Sequence, residues 1–145
     1  LGLRAVLMAG PDGAARLRAE LAARGRRDVL AVERAPHSLL FPRAAAVVQQ
    51  CGVGTLAQSL RSGRPFLAVP YAHDQPDNAF RAARLGLARI VPPRRYKAAR
   101  VASELRTLLA DSRYEDAAGR VAAVVRTERG IEAAADALEQ TFRLR

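Results

Sequence analysis

Cysteine, tryptophan and lysine are nearly or wholly missing from this chain: one Cys, no Trp, and Lys97 as the single lysine in 145 residues. A lone thiol, Cys51, excludes an internal disulfide framework and any zinc site built on several cysteines. With only two histidines to add to it, no metal is expected. Aromatic residues make up 5% of the chain and are not interleaved with its basic clusters, as a surface for single-stranded nucleic acid would require. Long apolar runs are absent too. The longest are of strand length and are interrupted by Arg or Gly, so no membrane span is expected. No charged-then-apolar leader opens the sequence, and the cytoplasm is the expected compartment.

What is present is arginine and a large apolar fraction. The formal charge is +10, all but one of the 24 basic residues are Arg, and half of all residues are hydrophobic. The length suits one domain with a real core. A balance this positive favours anionic ligands. Arg24-Gly25-Arg26-Arg27 and Arg94-Arg95 with Lys97 and Arg100 are the basic clusters, but no helix presents a continuous basic face. They read as solvated surface, and nucleic acid is not an expected partner.

The order of elements points to a doubly wound α/β fold. Residues 4–8 read as a strand, 14–24 as a helix stopped by Gly25, and 29–33 as a second strand. Pro36-His37-Ser38 breaks the pattern, and a short helical turn follows around residues 39–41. Residues 45–48 and 66–69 are apolar and suited to buried parallel strands, and 89–91 to a last short one. Between them lie a helix opened by Gly52 and Gly54 and closed by Gly63, and another beginning near Pro76 and closed by Gly86. Apolar stripes then mark three helices, over 98–110, 113–126 and from Ile131 to Phe142. Strand-helix repetition with short turns implies a Rossmann-like parallel sheet with a helical C-terminal tail. In such sheets ligands bind beyond the carboxyl ends of the strands. Gly10, residues 34–38, 50–55 and 71–75 all fall at that edge. Free N–H groups and the helix dipole at residues 52–55 suit a diphosphate, although a glycine-rich helix start has the same appearance without a ligand.

Four motifs in order carry a resemblance: Pro36-His37, Gln50-Cys51-Gly52-Val53-Gly54-Thr55, Gly63-Arg64-Pro65, and Asp74-Gln75-Pro76-Asp77-Asn78. The sequence resembles the carboxyl-terminal domain of family 1 nucleotide-sugar glycosyltransferases, of GT-B fold. The resemblance implies a domain that binds a UDP- or dTDP-sugar. Residues 1–145 are then one nucleotide-sugar-binding domain, a fragment lacking the amino-terminal acceptor domain and the first strand-helix unit. That first strand is central in a 3-2-1-4-5-6 sheet, so an edge-paired or domain-swapped homodimer is a corresponding expectation.

Site roles follow from the same resemblance. Arg34, Ala35 and His37 lie along the nucleobase and ribose, with Arg34 replacing the family's aromatic residue and offering a guanidinium plane to stack. Gln50 stands where many members have a His that contacts the diphosphate, so the phosphates depend more on Gly52, Val53, Gly54 and Thr55. Gln58 replaces a ribose-binding Glu. Asp74 and Gln75 hold hydroxyls of the transferred sugar, since a carboxylate accepts and an amide both donates and accepts. Asp74 otherwise reads as a helix cap. Asn78 lies at this rim or on the helix surface, Cys51 is a small buried filler, and Gln49 is unassigned.

The expected activity is that of an inverting hexosyltransferase acting on a small-molecule hydroxyl. The acceptor and the catalytic base would be held by the amino-terminal domain, with no catalytic residue in this chain and no cofactor. The alternatives are a GT-B relative such as a nucleotide-sugar epimerase or lipid-linked sugar transferase, or a non-catalytic nucleotide-sugar or anion-binding module.

Overall fold

Apolar and β-branched runs become parallel strands, and glycines and prolines between them fix where each stops. The structure is a computed structural model and describes residues 2–142. β1 (Ala5–Met8) pairs in parallel with β2 (Val29–Val32), Ala5 facing Val29 and Met8 facing Val32. α1 (Gly10–Ala23) connects them, four residues longer at its start than the sequence pattern suggests. Gly10, at φ 66°, makes the turn from strand to helix, and Pro11 occupies the first helical turn, where its missing N–H costs nothing.

A one-turn helix, α2 (His37–Leu40), and a 3-10 turn at Phe41–Arg43 lead to the second sheet. Its strands β3 (Val47–Gln49), β4 (Phe66–Ala68) and β5 (Ala88–Ile90) lie in chain order, all parallel, with Val47 facing Phe66 and Phe66 facing Ala88. The helices α3 (Val53–Ser62) and α4 (Gln75–Arg84) make the two crossovers. Gly63 ends α3 in the left-handed region at φ 73°, as a chain turning back into a strand requires. After β5 the chain is helical: α5 (Ala98–Ala110), α6 (Ser112–Val125) and α7 (Gly130–Phe142).

Among the described residues five strands form two sheets, with β1 and β3 each keeping one unpaired edge. The parallel α/β class is as expected, but the single continuous sheet is not formed. A strand that neighbours both β1 and β3 is what would join the two. The consequence shows in burial. Every residue of β1 is exposed, whereas every residue of the central β4 is buried.

The main core lies under α3, α4 and α6, where Phe41, Val47, Phe66, Ala68, Ala79, Ala82, Leu87 and Ala117 pack together. Alanines dominate the helical side because α3 and α6 approach closely: a Cβ on Gly63 would already lie 3.4 Å from that of Ala122. α5 lies against β4 and β5. There the Glu104 carboxylate is buried and meets Arg89 of β5 and, at 2.7 Å, Arg100 of its own helix. Arg89 also donates to the Tyr114 hydroxyl on α6 at 2.7 Å, so one guanidinium joins β5, α5 and α6. Among the described residues, no helix is long and apolar enough to cross a membrane.

Candidate functional site

Parallel pairing brings the carboxyl ends of β3 and β4 side by side, and the loops that leave them face each other. The loop after β3 is Gln50-Cys51-Gly52. Cys51 adopts φ 70°, a region L residues enter rarely and glycine freely. Its side chain is fully buried, and burial pushes the thiol up to about 11. It is therefore a protonated filler at neutral pH, as the sequence suggests.

Gly52 is extended, at φ −61° and ψ 143°, and α3 starts at Val53 without a side-chain cap. The first helical hydrogen bond runs from the Leu56 N–H to the Gly52 carbonyl, at 2.9 Å. The N–H groups of Gly52, Val53, Gly54 and Thr55 thus have no partner inside the helix, and the positive end of the helix dipole lies among them. Gly54 is exposed and Thr55 half-buried, and no atom stands where a Cβ on Gly52 or Gly54 would be. Gln58, four residues after Gly54, lies one turn deeper on the same helix face and is half-buried. Gln50 is exposed at the strand end.

The loop after β4 closes on itself. His73 turns it at φ 57°. The Gln75 side-chain carbonyl then accepts from the backbone N–H groups of Tyr71, at 2.8 Å, and Ala72, at 3.3 Å. With that oxygen occupied, the Gln75 amide nitrogen remains as the donating end. Asp74 stands at the N-cap position of α4 with helical angles, φ −75° and ψ −14°, and its side chain makes no capping bond. The capping alternative is corrected accordingly: a cap residue needs extended angles for its oxygen to fold back on the helix. The carboxylate instead accepts from Asn78 at 2.7 Å, and the same amide nitrogen reaches the Cys51 carbonyl at 3.0 Å. Asn78 is half-buried between the two loops, so of its two readings the rim is the one realised.

Arg34 follows β2 and is exposed, while Ala35 is half-buried. His37 stacks on Phe41 with ring centroids 4.5 Å apart and planes at 16°, and α2 lies against α3. His37 is therefore anchored to the core through Phe41.

Several residues that sequence reasoning left aside are part of this edge. Gln49 is buried at the end of β3, where its amide nitrogen donates to Ser59 of α3 at 2.8 Å and its side-chain oxygen has no partner among the described residues. The polar residue inside an apolar strand was the available signal. Tyr71 and Tyr96 are exposed and, with Gln50 and Val69, line a concavity of about 200 Å³. A larger hollow of about 430 Å³, lined by Arg18, Leu21, Arg27 and Leu30, lies between α1 and β2 and shares no residue with the candidate site.

The carboxyl edge of this sheet thus joins an uncapped helix start, suited to an anion, to an acid-amide turn, suited to hydroxyl groups. Comparison with known proteins places the chain in a family. Residues 12–138 match the family described as erythromycin biosynthesis protein CIII-like, C-terminal domain, and the chain belongs to that family. Over 138 residues it is 37% identical to the O-mycaminosyltylonolide 6-deoxyallosyltransferase of Streptomyces fradiae, covering 94% of this chain and 30% of that protein. It is also 40% identical over 60 residues to the vancomycin aglycone glucosyltransferase of Amycolatopsis orientalis, 41% of this chain and 15% of that one. Among solved structures it resembles the glycotransferase of kitacinnamycin, with TM-score 0.81 and 26% identity over 94% of this chain and 34% of the other. The glycosyltransferase VinC, solved in complex with dTDP, gives 0.70 and 25% over 86% and 38%. The chain thus spans about a third of the length of the deoxyallosyltransferase and of the kitacinnamycin glycotransferase.

Proposed function

We propose that this domain binds the nucleotide-sugar of an inverting glycosyltransferase, a dTDP- or UDP-hexose, and presents its anomeric carbon to a small-molecule hydroxyl held by another part of the protein. One observation carries the reading. The uncapped start of α3 and the Asp74-Gln75 turn lie at the ends of adjacent strands and are tied together by Asn78. In this reading the diphosphate lies on the N–H groups of Gly52, Val53, Gly54 and Thr55, with Gln50 beside it. The sugar hydroxyls meet the Asp74 carboxylate and the Gln75 amide. Arg34, Ala35 and His37 line the base and ribose, and Gln58 takes a ribose hydroxyl.

The phosphate charge is met by backbone N–H groups, the helix dipole and the positive surroundings, without a metal. Gln50 supplies a hydrogen bond and no charge. Direct displacement needs a general base on the acceptor hydroxyl. The base is assigned to the acceptor-binding part, which also covers the free edge of the site, and the reaction takes place in the cytoplasm. Among nucleotides dTDP is the first choice, because VinC was solved with it. A paired acid and amide beside the phosphate site favours transfer of an intact sugar over a simple anion-binding module, for which the turn would have no use.

Calorimetric titration of the protein with UDP, dTDP, GDP and their glucose conjugates tests this. Base-selective binding that changes with the sugar, and loses that sugar dependence in Asp74→Ala, is the expected result. Equal binding of every anion, abolished by moderate salt, would reduce the domain to a basic surface.

A further inference from the structure

An amide group has two protons to give, and Asn78 gives both to groups on different loops. One goes to the backbone carbonyl of Cys51, 27 residues earlier in the chain, at 3.0 Å. The other goes to Oδ2 of Asp74 at 2.7 Å. We propose that Asn78 is a positioning residue that locks the Asp74 carboxylate to the start of α3, so that the sugar and diphosphate ends of a bound nucleotide-sugar are held in one fixed relation. This rests on the nucleotide-sugar reading of the site and adds to it a residue that need not touch the ligand.

Each of the two bonds has a definite effect. Asp74 is exposed, and an exposed carboxylate would normally rotate among several orientations. With Oδ2 held by Asn78, Oδ1 remains as the accepting oxygen, in a fixed direction. The neighbouring Gln75 is fixed in a similar manner through its own carbonyl, which leaves its amide nitrogen to donate. The turn therefore offers one oriented acceptor and one oriented donor, a match for neighbouring sugar hydroxyls.

The bond to Cys51 acts on the phosphate side. A peptide unit is planar and its C=O and N–H point in opposite directions, so fixing the Cys51 oxygen also fixes the Gly52 N–H, the first free donor at the start of α3. Cys51 is at φ 70°, where a non-glycine residue is strained unless its surroundings hold it. Asn78 is one of the groups that hold it. The residue type follows from the geometry: an Asp would turn a carboxylate against two acceptors, a Gln would be one methylene too long, and an Ala would leave both acceptors free.

The test uses the intact protein that carries this chain, as wild type and as Asn78→Ala, Asn78→Ser, Asp74→Ala and the Asp74→Ala/Asn78→Ala double variant. Each is titrated with dTDP, dTDP-glucose, UDP and UDP-glucose, and its melting is followed without ligand. The readout is the ratio of nucleotide to nucleotide-sugar dissociation constants, which a loss of stability alone does not move. For the nucleotide the wild type prefers, Asn78→Ala is expected to shrink that ratio about tenfold, the effect of losing one charge-assisted hydrogen bond. The double variant is expected to match Asp74→Ala. Should Asn78→Ala fail to fold, Asn78→Ser, which keeps a short donor, gives the same ratio test. An unchanged ratio in the Asn78 variants, with a reduced one in Asp74→Ala, overturns the positioning role and leaves the sugar-binding site standing. No binding of any of the four ligands by the wild type overturns the site itself, and the positioning role with it.

Discussion

Replacing Arg89 by Met removes the cation that joins β5 to α5 and α6, and the surroundings of that cation set the size of the effect. The Glu104 side chain is 5% exposed, Arg89 is 30% exposed and Arg100 is 52% exposed. The hydrogen bond to Glu104 is the main reason that the Arg89 pKa is raised above the usual guanidinium value, against burial, which lowers it. Breaking a buried pair by removing one partner typically costs about 3–5 kcal/mol. Two features reduce that here: Arg89 is partly solvated, and Arg100 remains on the other carboxylate oxygen. The Tyr114 hydroxyl also loses its partner. A loss of about 2–3 kcal/mol is expected for Arg89→Met. Arg100→Met breaks a half-exposed pair within one helix turn and is expected to cost only about 0.5 kcal/mol. Arg89→Met/Glu104→Leu removes both charges and is expected to recover most of the loss. Urea unfolding followed by far-UV circular dichroism, with the slope compared among variants, measures all three. Equal small costs for Arg89→Met and Arg100→Met, or a double variant worse than either single one, would refute the claim that the buried Glu104 depends on Arg89.

Two further predictions concern the strand end at the site. The Cys51 thiol titrates near 11 when folded against 9.0 as the reference value, so stability is flat below about pH 9 and falls as pH rises from 9 to 11, because the unfolded chain releases its proton first. A thiol reagent at pH 8 is expected to label the folded protein at least about 100-fold more slowly than the urea-unfolded chain, from the thiolate fractions alone; equal rates would show the thiol to be exposed. Gln49 pairs one half of its buried amide with Ser59, and the other half has no partner among the described residues. The Gln49→Leu/Ser59→Ala double variant is expected to be neutral or more stable by about 1 kcal/mol, whereas Ser59→Ala alone costs about 1 kcal/mol; a large loss in the double variant by chemical unfolding would contradict this.

Elements with strong local signals are legible in the residues themselves. The stop at Gly63-Arg64-Pro65 and the two glycines opening α3 each follow from backbone sterics within a few residues, and they fall where expected. The strand ahead of them does not. The run at 45–48 is uniformly apolar and gives no phase, and pairing with β4 puts the strand at Val47–Gln49 instead. What stays hidden depends on partners distant in the chain. Asn78 reaches back 27 residues to Cys51, and Arg89 reaches forward 25 to Tyr114. Residue type and spacing carry no record of such pairs. For Asp74 the local signal misleads: an acid ahead of Pro76 also reads as a cap, but the tight turn through His73 gives it helical angles, and Oδ2 accepts from Asn78 instead.

The division of the strands into two sheets has a thermodynamic consequence. β1, α1 and β2 pack chiefly on one another, and their hydrogen bonds, including the Arg18 bond to the Ala31 carbonyl, close within that group. The larger sheet has its own core, built without them. Two groups with so little shared surface are expected to melt as separate cooperative units, the smaller at lower temperature. Scanning calorimetry would then record a total heat larger than the steepness of either transition implies, and a single melting temperature would describe neither. A ligand lying across α3 and the loop after β2 would draw the two transitions together, which makes the merging of two heat peaks a direct signal that both groups engage the same molecule.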